Sequence, residues 1–227
     1  MISGLPSFTQ LPAGVVLSAQ HFDVDEATLQ RLDPATLPAA LATAVLKRRI
    51  EFLAGRHCAR TALRQAGHDG AAPLQIGDDR APQWPSGWIG AITHSHGAAL
   101  AIVAPATRYA GLGIDIEPWV DAARTERLRA QVGIDAEWAL RPAELTQAEW
   151  FTAVFSMKES LFKALYPQVR RYFGFHDAEV VAAGADSATL RLTVALAGDC
   201  PIGAEYAIAI ARSDDFVLTL CAVPAER

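Results

Sequence analysis

Two short charged motifs, about forty residues apart, carry the residue types needed for metal-assisted phosphate chemistry. The first is Gly113-Ile114-Asp115-Ile116-Glu117, and the second is the run 155–164, FSMKESLFKA. Carboxylate oxygens are the ligands that hard divalent cations prefer, and lysine ammonium groups pair with phosphate oxygens. Together the two motifs indicate metal-assisted chemistry on a phosphorylated substrate.

The first motif is predicted to be a β-strand that aims two acids in one direction. Side chains alternate along a strand, so Asp115 and Glu117 share one face. The opposite face is apolar and consists of Leu112, Ile114 and Ile116. Two adjacent carboxylates repel each other unless a cation or water separates them. Taken alone, the motif also fits a surface strand end with two solvated acids.

The second motif is predicted to be a helix, because apolar residues recur at helical spacing through 151–165. Lys158 fills a gap in that apolar stripe, where a lysine either extends its ammonium to solvent or meets a buried anion. Glu159 and Lys163 are four residues apart and share a face. Pro167 is expected to end the helix. Taken alone, this motif also fits an ordinary amphipathic helix.

The pair of motifs resembles the signature of the 4′-phosphopantetheinyl transferases. Within that family the chain is similar to the longer type that serves siderophore, peptide and polyketide synthetases, and to its enterobactin-type branch. Both motifs match at every defining position. Further similar stretches are RIEFLAGR at 49–56, Trp84-Pro85 and Thr93-His94-Ser95, so the resemblance covers roughly residues 45–176.

The resemblance implies an α+β fold, a pseudo-dimer of two similar α+β halves with the active site in the cleft between them. The N-terminal half, residues 1–110, would bind the nucleotide of coenzyme A. The C-terminal half, residues 111–227, would carry the metal and catalytic residues. Because a pseudo-dimeric chain needs no partner to complete its site, a monomer is expected.

The implied reaction transfers 4′-phosphopantetheine from coenzyme A to a serine of an acyl or peptidyl carrier protein and releases adenosine 3′,5′-bisphosphate. Asp115, Glu117 and Glu159 would hold Mg²⁺ or Mn²⁺. Lys158 and Lys163 would stabilise charge on the two phosphates. Asp115, Glu159 and Lys163 are the expected catalytic residues. The base that takes the serine proton is either Glu159 or a water activated by Asp115 or the metal.

Three arginines, Arg49, Arg56 and Arg60, are predicted to line one face of the first long helix. Their separations, seven and eleven residues, are close to whole numbers of helical turns. Aligned guanidinium groups suit either solvent or phosphate oxygens. The resemblance assigns Arg49 and Arg56 to the 3′-phosphate of coenzyme A and, on a looser match, Arg80 to its adenine.

A histidine at a predicted strand end is a second candidate contact for the nucleotide. The resemblance assigns Thr93 and His94 to phosphate, with Thr93 replacing the serine of the family and keeping its hydroxyl. The residues alone leave two other interpretations open. His94 fits an ordinary structural histidine, and His94 with His96 fits a metal-binding pair.

The acidic carrier protein would dock on a basic and apolar lip beside the cleft. The candidates are Lys163, Arg170, Arg171, Tyr172 and Phe173. A solvated loop after the helix is the alternative interpretation of the same stretch.

Composition excludes several classes of protein. The chain has 227 residues, a net charge of −5 and 51% apolar residues, which favours a packed core and disfavours nucleic acid as the main partner. Three cysteines without paired spacing indicate reduced thiols. No secretory signal or membrane-spanning run is visible, so a cytoplasmic protein is expected.

The remaining elements are predicted from periodicity. A helix is expected over 39–66 with Gly67 as its C-cap, followed by a strand hairpin that turns at 94–97. A helical block over 121–165, interrupted near Gly133 and Pro142, precedes four strands at 179–182, 188–196, 204–211 and 216–223. Two other functions stay open: a different metal-dependent phosphoryl or nucleotidyl transferase, and a non-catalytic module that binds coenzyme A.

Overall fold

The computed structural model describes residues 4–69, 74–77, 81–197 and 199–225, which form an α+β fold with two antiparallel sheets. The strands are β1 (Val16–His21), β2 (Trp88–Ser95), β3 (Ala98–Pro105), β4 (Tyr109–Pro118), β5 (Ala178–Ala183), β6 (Ser187–Leu192), β7 (Glu205–Arg212) and β8 (Phe216–Pro224). The α-helices are α1 (Glu26–Arg31), α2 (Leu46–Gln65), α3 (Ala122–Val132), α4 (Asp135–Ala139) and α5 (Gln147–Val169). The predicted α+β class is confirmed.

The N-terminal half packs the long helix α2 against a three-stranded sheet of order β1-β3-β2. The predicted hairpin is confirmed: β2 and β3 join at His96 and Gly97, whose φ angles are 45° and 80°. The predicted start of the helix at residue 39 is wrong. Ala39–Leu41 form a single 3₁₀ turn, and Val45 is extended, with ψ of 149°, so α2 begins at Leu46.

The C-terminal half packs α5 against a five-stranded sheet of order β4-β8-β7-β6-β5. A capping box starts this helix, because the Thr146 hydroxyl accepts from the backbone of Glu149 while the Glu149 carboxylate accepts from that of Thr146. The predicted helix end at Pro167 is wrong. Pro167 lies inside the last turn, and the helix ends at Arg170, which adopts a left-handed φ of 54° and donates to Tyr166 O.

A third core cluster joins the two halves. Leu112, Ile114 and Ile116 on the apolar face of β4 are at most 2% exposed and pack with Ala91 and Leu100 of the N-terminal sheet. Each Leu or Ile buried here contributes roughly 1.5–3 kcal/mol. The predicted alternation of β4 is thereby confirmed. Residue 110 lies within β4, whose ladder runs to β8, and the division of the chain at that residue stays a prediction.

In the part of the chain that the structure describes, no helix combines the length and apolar character needed to cross a membrane. Each half consists of one long helix packed on one antiparallel sheet. The N-terminal sheet has three strands and the C-terminal sheet has five. Two packing contacts position the site: α5 lies on β4, and β2 lies beside β4.

Candidate active site

Two glycines of β4 let the backbone of α5 lie directly on this strand. A Cβ atom at Gly113 would stand 1.8 Å from Ser160 O, and one at Gly111 would stand 2.2 Å from Ala164 O. No side chain fits in either place, which explains why both positions are glycine. Asp115 and Glu117 follow on the same strand face and therefore point towards α5.

A buried hydroxyl network fixes α5 on the sheet at the same level. The Oγ atoms of Ser160 and Thr219 lie 2.7 Å apart, and Thr219 Oγ1 donates to Ser156 O at 2.9 Å. All three side chains are fully buried. Sequence reasoning missed these residues. The signal was two serines four apart in an otherwise apolar helix stripe, opposite a threonine in an apolar strand.

Asp115 and Lys163 form the centre of the candidate site. Lys163 Nζ lies 2.7 Å from Asp115 Oδ1 and donates to Ile114 O at 3.0 Å. The Thr93 hydroxyl, from the N-terminal half, donates to Asp115 Oδ1 and accepts from Ile116 N, both at 3.3 Å. Thr93 is 4% exposed and its hydroxyl supports Asp115; the phosphate contact that the family resemblance implies for Thr93 stays a prediction.

Glu117 and Glu159 complete the acidic cluster, and the electrostatics of both carboxyls are perturbed. Burial, Asp115 and Glu159 raise the pKa of Glu117 to about 7, against the opposing effect of Lys163. Burial and then Asp115 raise the pKa of Glu159, which Lys163 again opposes. Both shifts mean that it costs free energy to ionise Asp115, Glu117 and Glu159 together, even with the Lys163 ammonium nearby.

These residues fit a hard divalent cation by charge and donor type. Asp115 Oδ2 is buried and receives no hydrogen bond from the described residues. A bound cation would satisfy that oxygen and relieve the repulsion among the three carboxylates. Among the described residues, no three His, Cys, Asp or Glu side chains already converge as a metal cage, so the ligands would have to draw together.

His94 lies at the end of β2, close to this cluster. Arg48 Nη1 lies 3.4 Å from His94 Nε2, and Glu51 Oε2 lies 3.9 Å from His94 Nδ1. Burial lowers the pKa of His94, Glu51 opposes this shift, and Arg48 and Lys163 add to it. His96 instead sits in the hairpin turn beside the Ser95 hydroxyl. The described residues supply no third ligand for a His94–His96 metal site.

The three arginines lie on α2, as predicted; Arg56 is buried, whereas Arg49 and Arg60 are half-buried. Arg56 is 8% exposed, its guanidinium lies 5.0 Å from the Phe52 ring, and burial lowers its pKa to about 10. Arg49 faces Glu26 at 3.7 Å. Among the described residues, Arg49 Nε, Arg56 Nη1 and Arg60 Nε are buried without hydrogen-bond partners. Guanidinium nitrogens that are buried without a hydrogen-bond partner suit an anion with several acceptor oxygens. Arg80 lies outside the described residues.

Lys158 departs from its predicted role. Its ammonium lies 2.7 Å from Glu137 Oε1 and donates to Val132 O and Phe175 O, both at 2.9 Å. An ammonium group has three protons, and these three acceptors use all of them. Both side chains of the ion pair are 2% exposed. Lys158 is therefore not placed to hold phosphate, because its ammonium is paired with the buried Glu137 carboxylate of α4.

A cleft of about 990 Å³ lies between the two halves and contains Lys163. One wall is β2 with the loop before it, including Trp84, and the other is the end of α5 with Tyr172. Tyr172 is 76% exposed and stacks on Phe162 with centroids 5.7 Å apart. Phe173 is 6% exposed and packs in the core, so its predicted place on the docking lip is wrong.

Comparison with known proteins places the chain in a family. The family described as 4′-phosphopantetheinyl transferase N-terminal domain matches residues 37–104, and the 4′-phosphopantetheinyl transferase superfamily matches residues 111–221. The 4′-phosphopantetheinyl transferase Svp of Streptomyces mobaraensis is 37% identical over 188 residues, 81% of this chain and 75% of Svp. Enterobactin synthase component D of Salmonella typhi is 34% identical over 178 residues, 77% and 73% of the two chains.

A third relative, the 4′-phosphopantetheinyl transferase PptT of Mycobacterium tuberculosis, is 39% identical over 141 residues. That match spans 62% of this chain and 61% of PptT. Fold and matches together define a transferase. The chain belongs to the 4′-phosphopantetheinyl transferase superfamily, in its enterobactin-type branch.

Proposed function

We propose that this protein transfers the 4′-phosphopantetheine moiety of coenzyme A to a serine of an acyl or peptidyl carrier protein and releases adenosine 3′,5′-bisphosphate. The observation that carries the proposal is the ion pair between Asp115 and Lys163, with Glu117 and Glu159 close enough to interact with both charges. Lys163 also lines a cleft between the two halves. Carboxylates and an ammonium at one place suit a pyrophosphate that is bound through a divalent cation.

The reaction is a displacement at phosphorus. The serine Oγ forms a bond to the phosphorus that bears pantetheine, and the bond from that phosphorus to the bridging oxygen breaks. The electron pair leaves with adenosine 3′,5′-bisphosphate. The serine proton goes to Glu159 or to a water beside Asp115, and the two routes stay alternatives.

Each side chain has a part in this scheme. Asp115, Glu117 and Glu159 would hold Mg²⁺ or Mn²⁺, which supplies charge neutralisation on the pyrophosphate when bound. Lys163 would leave Asp115 and donate to the phosphoryl oxygens, where negative charge grows in the transition state. Arg49, with Arg56 and His94, would bind the 3′-phosphate and the pyrophosphate and so orient the nucleotide.

Intact-mass spectrometry of apo carrier proteins tests the proposal. Incubation with this protein, coenzyme A and Mg²⁺ is expected to add about 340 Da, the mass of one phosphopantetheinyl group, and EDTA is expected to abolish the gain. Acyl, peptidyl and polyketide carriers are tested in parallel. Binding of coenzyme A without mass gain on any carrier would favour a binding module, and activity with ATP alone would favour a different phosphoryl transferase.

The carrier is proposed to dock on Arg170 and Tyr172, at the rim of the cleft. The double variant Arg170→Glu/Tyr172→Ser is expected to raise the carrier KM about tenfold or more, because it removes an aromatic anchor and opposes an acidic partner. The KM for coenzyme A should stay within about twofold. Steady-state kinetics with each substrate varied in turn measures both constants.

The matched control is Arg191→Glu, an equal change of charge on the exposed side of β6, where Arg191 pairs with Glu179. It is expected to leave both KM values unchanged. A parallel rise of both KM values in the Arg170→Glu/Tyr172→Ser variant would place these residues in the nucleotide site and contradict docking.

A further inference from the structure

The buried ion pair between Lys158 and Glu137 lies next to the proposed reaction centre yet takes no part in the scheme above. Both oxygens of the Glu137 carboxylate accept hydrogen bonds, as all three protons of the Lys158 ammonium are donated. Glu137 Oε1 accepts from Val180 N at 2.9 Å in addition to Lys158, and Glu137 Oε2 accepts from Ile134 N at 2.9 Å. The pair is thus a complete polar network inside an apolar core.

The network ties α5 to four backbone groups of the C-terminal half. Val132 ends α3, Ile134 precedes α4, Phe175 begins the 3₁₀ turn before β5, and Val180 lies in β5. Lys158 therefore holds two separate pieces of backbone, at Val132 and Phe175, and Glu137 holds two more, at Ile134 and Val180. A buried pair of this kind adds little net stability over an apolar pair of equal volume, so stability alone does not account for it.

The geometry connects this network to the reaction centre in two ways. Glu159, a proposed metal ligand, is the next residue of α5, so the anchoring of Lys158 constrains the helix at the position of Glu159. In addition, Lys158 and Glu159 together with Phe173 and Phe175 line a small pocket of about 100 Å³. The backbone of that pocket wall is held by the bond from Lys158 to Phe175 O.

We propose that Lys158 and Glu137 are positioning residues for the transfer reaction, which hold Glu159 and the pocket wall at 173–175 in their reactive places. The proposal rests on the proposed function, because it needs Glu159 at the reaction centre. It replaces the sequence-based assignment of Lys158 to phosphate. Neither residue is a catalytic residue, since both side chains are 2% exposed and are bonded to each other and to backbone groups.

Steady-state kinetics of three full-length variants, each compared with its melting temperature, test the proposal. The single variants are Lys158→Met and Glu137→Gln, and the double variant Glu137→Gln/Lys158→Met removes both charges while keeping volume and an acceptor. Both singles are expected to lower kcat by about 10–100-fold, the usual cost of losing a partner that orients a ligand. The KM for coenzyme A should change less than about threefold.

The double variant separates positioning from stability. It no longer buries an unpaired charge, so its melting temperature is expected to lie above those of Lys158→Met and Glu137→Gln. Its kcat is expected to stay low, because Phe175 O and Val132 O lose their donor. Recovery of both melting temperature and kcat would overturn the proposal and leave a purely structural pair. If Lys158→Met does not fold, the kcat values and melting temperatures of Glu137→Gln and the double variant still test the proposal.

Three further outcomes count against the proposal. A raised KM for coenzyme A with unchanged kcat in Lys158→Met would restore the phosphate-binding role. The matched control Arg129→Met, which breaks the exposed ion pair with Asp135 in the same region, is expected to change neither constant. Wild-type protein that adds no mass to any carrier would overturn the proposed function and this inference together, whereas active wild type with fully active variants would overturn the inference alone.

Discussion

Replacing Asp115 by asparagine is expected to lower the rate of phosphopantetheinyl transfer by about 10³-fold, the upper end of what one preorganised charged group contributes. Asp115 is 4% exposed, pairs with Lys163 at 2.7 Å and receives the Thr93 hydroxyl from the other half. The amide keeps the size and one acceptor oxygen but removes the charge. It therefore weakens cation binding and loosens Lys163 without opening a cavity.

Two measurements check this expectation. The rate of mass gain on an apo carrier gives the loss of activity, and the electron paramagnetic resonance signal of free Mn²⁺ gives the affinity for a divalent cation. Asp115→Asn is expected to weaken Mn²⁺ binding about tenfold or more. The control Asp186→Asn makes the same change on an exposed turn and should alter neither quantity. A transfer rate within tenfold of the wild type would remove Asp115 from the centre of the site.

Local periodicity predicts which side chains of the two motifs share a face. Alternation along 111–117 is enough to place Asp115 and Glu117 on one face and the isoleucines on the other, because a strand offers no third direction. Helical spacing is likewise enough to put Glu159 and Lys163 together. The same rules predict the β2–β3 hairpin, since His96 and Gly97 stand between two apolar runs.

Partners that are distant along the chain could not be predicted in this way. The pattern flags Lys158 as unusual, but nothing near it in the sequence identifies Glu137, which comes from a short helix with its own start and end. The Thr93 hydroxyl was assigned from a motif to phosphate, whereas its contact with Asp115 depends on how the two halves pack. The predicted helix end at Pro167 is wrong because tertiary packing of α5 on the five-stranded sheet outweighs the local preference of the residue before proline.

Replacing Gly113 by alanine is expected to cost more than any other small substitution in the site. The added Cβ would lie 1.8 Å from Ser160 O and 2.8 Å from Ala164 N, and neither backbone atom can turn aside as a side chain can. Ordinary contact needs about 3.4 Å or more, so α5 and β4 must separate by well over 1 Å. Overpacking of this kind costs about 1–3 kcal/mol or more of stability.

The transfer rate of Gly113→Ala is expected to fall far more than its stability. Glu159 and Lys163 belong to the displaced helix α5, whereas Asp115 stays in strand β4. A misplacement of about 1 Å can cost 10²-fold in rate, and here all three groups are misaligned together. Urea unfolding gives the stability, and carrier mass gain at 15–20 °C below the melting temperature gives the rate. Gly184→Ala is the matched control, since its Cβ would meet Ser187 O at an ordinary 3.6 Å. A Gly113→Ala variant that lost stability but kept its rate would contradict this prediction. The contact of α5 with β4 would then matter for folding only. The alignment of Asp115 with Glu159 and Lys163 would have to come from the hydroxyl network around Thr219 instead.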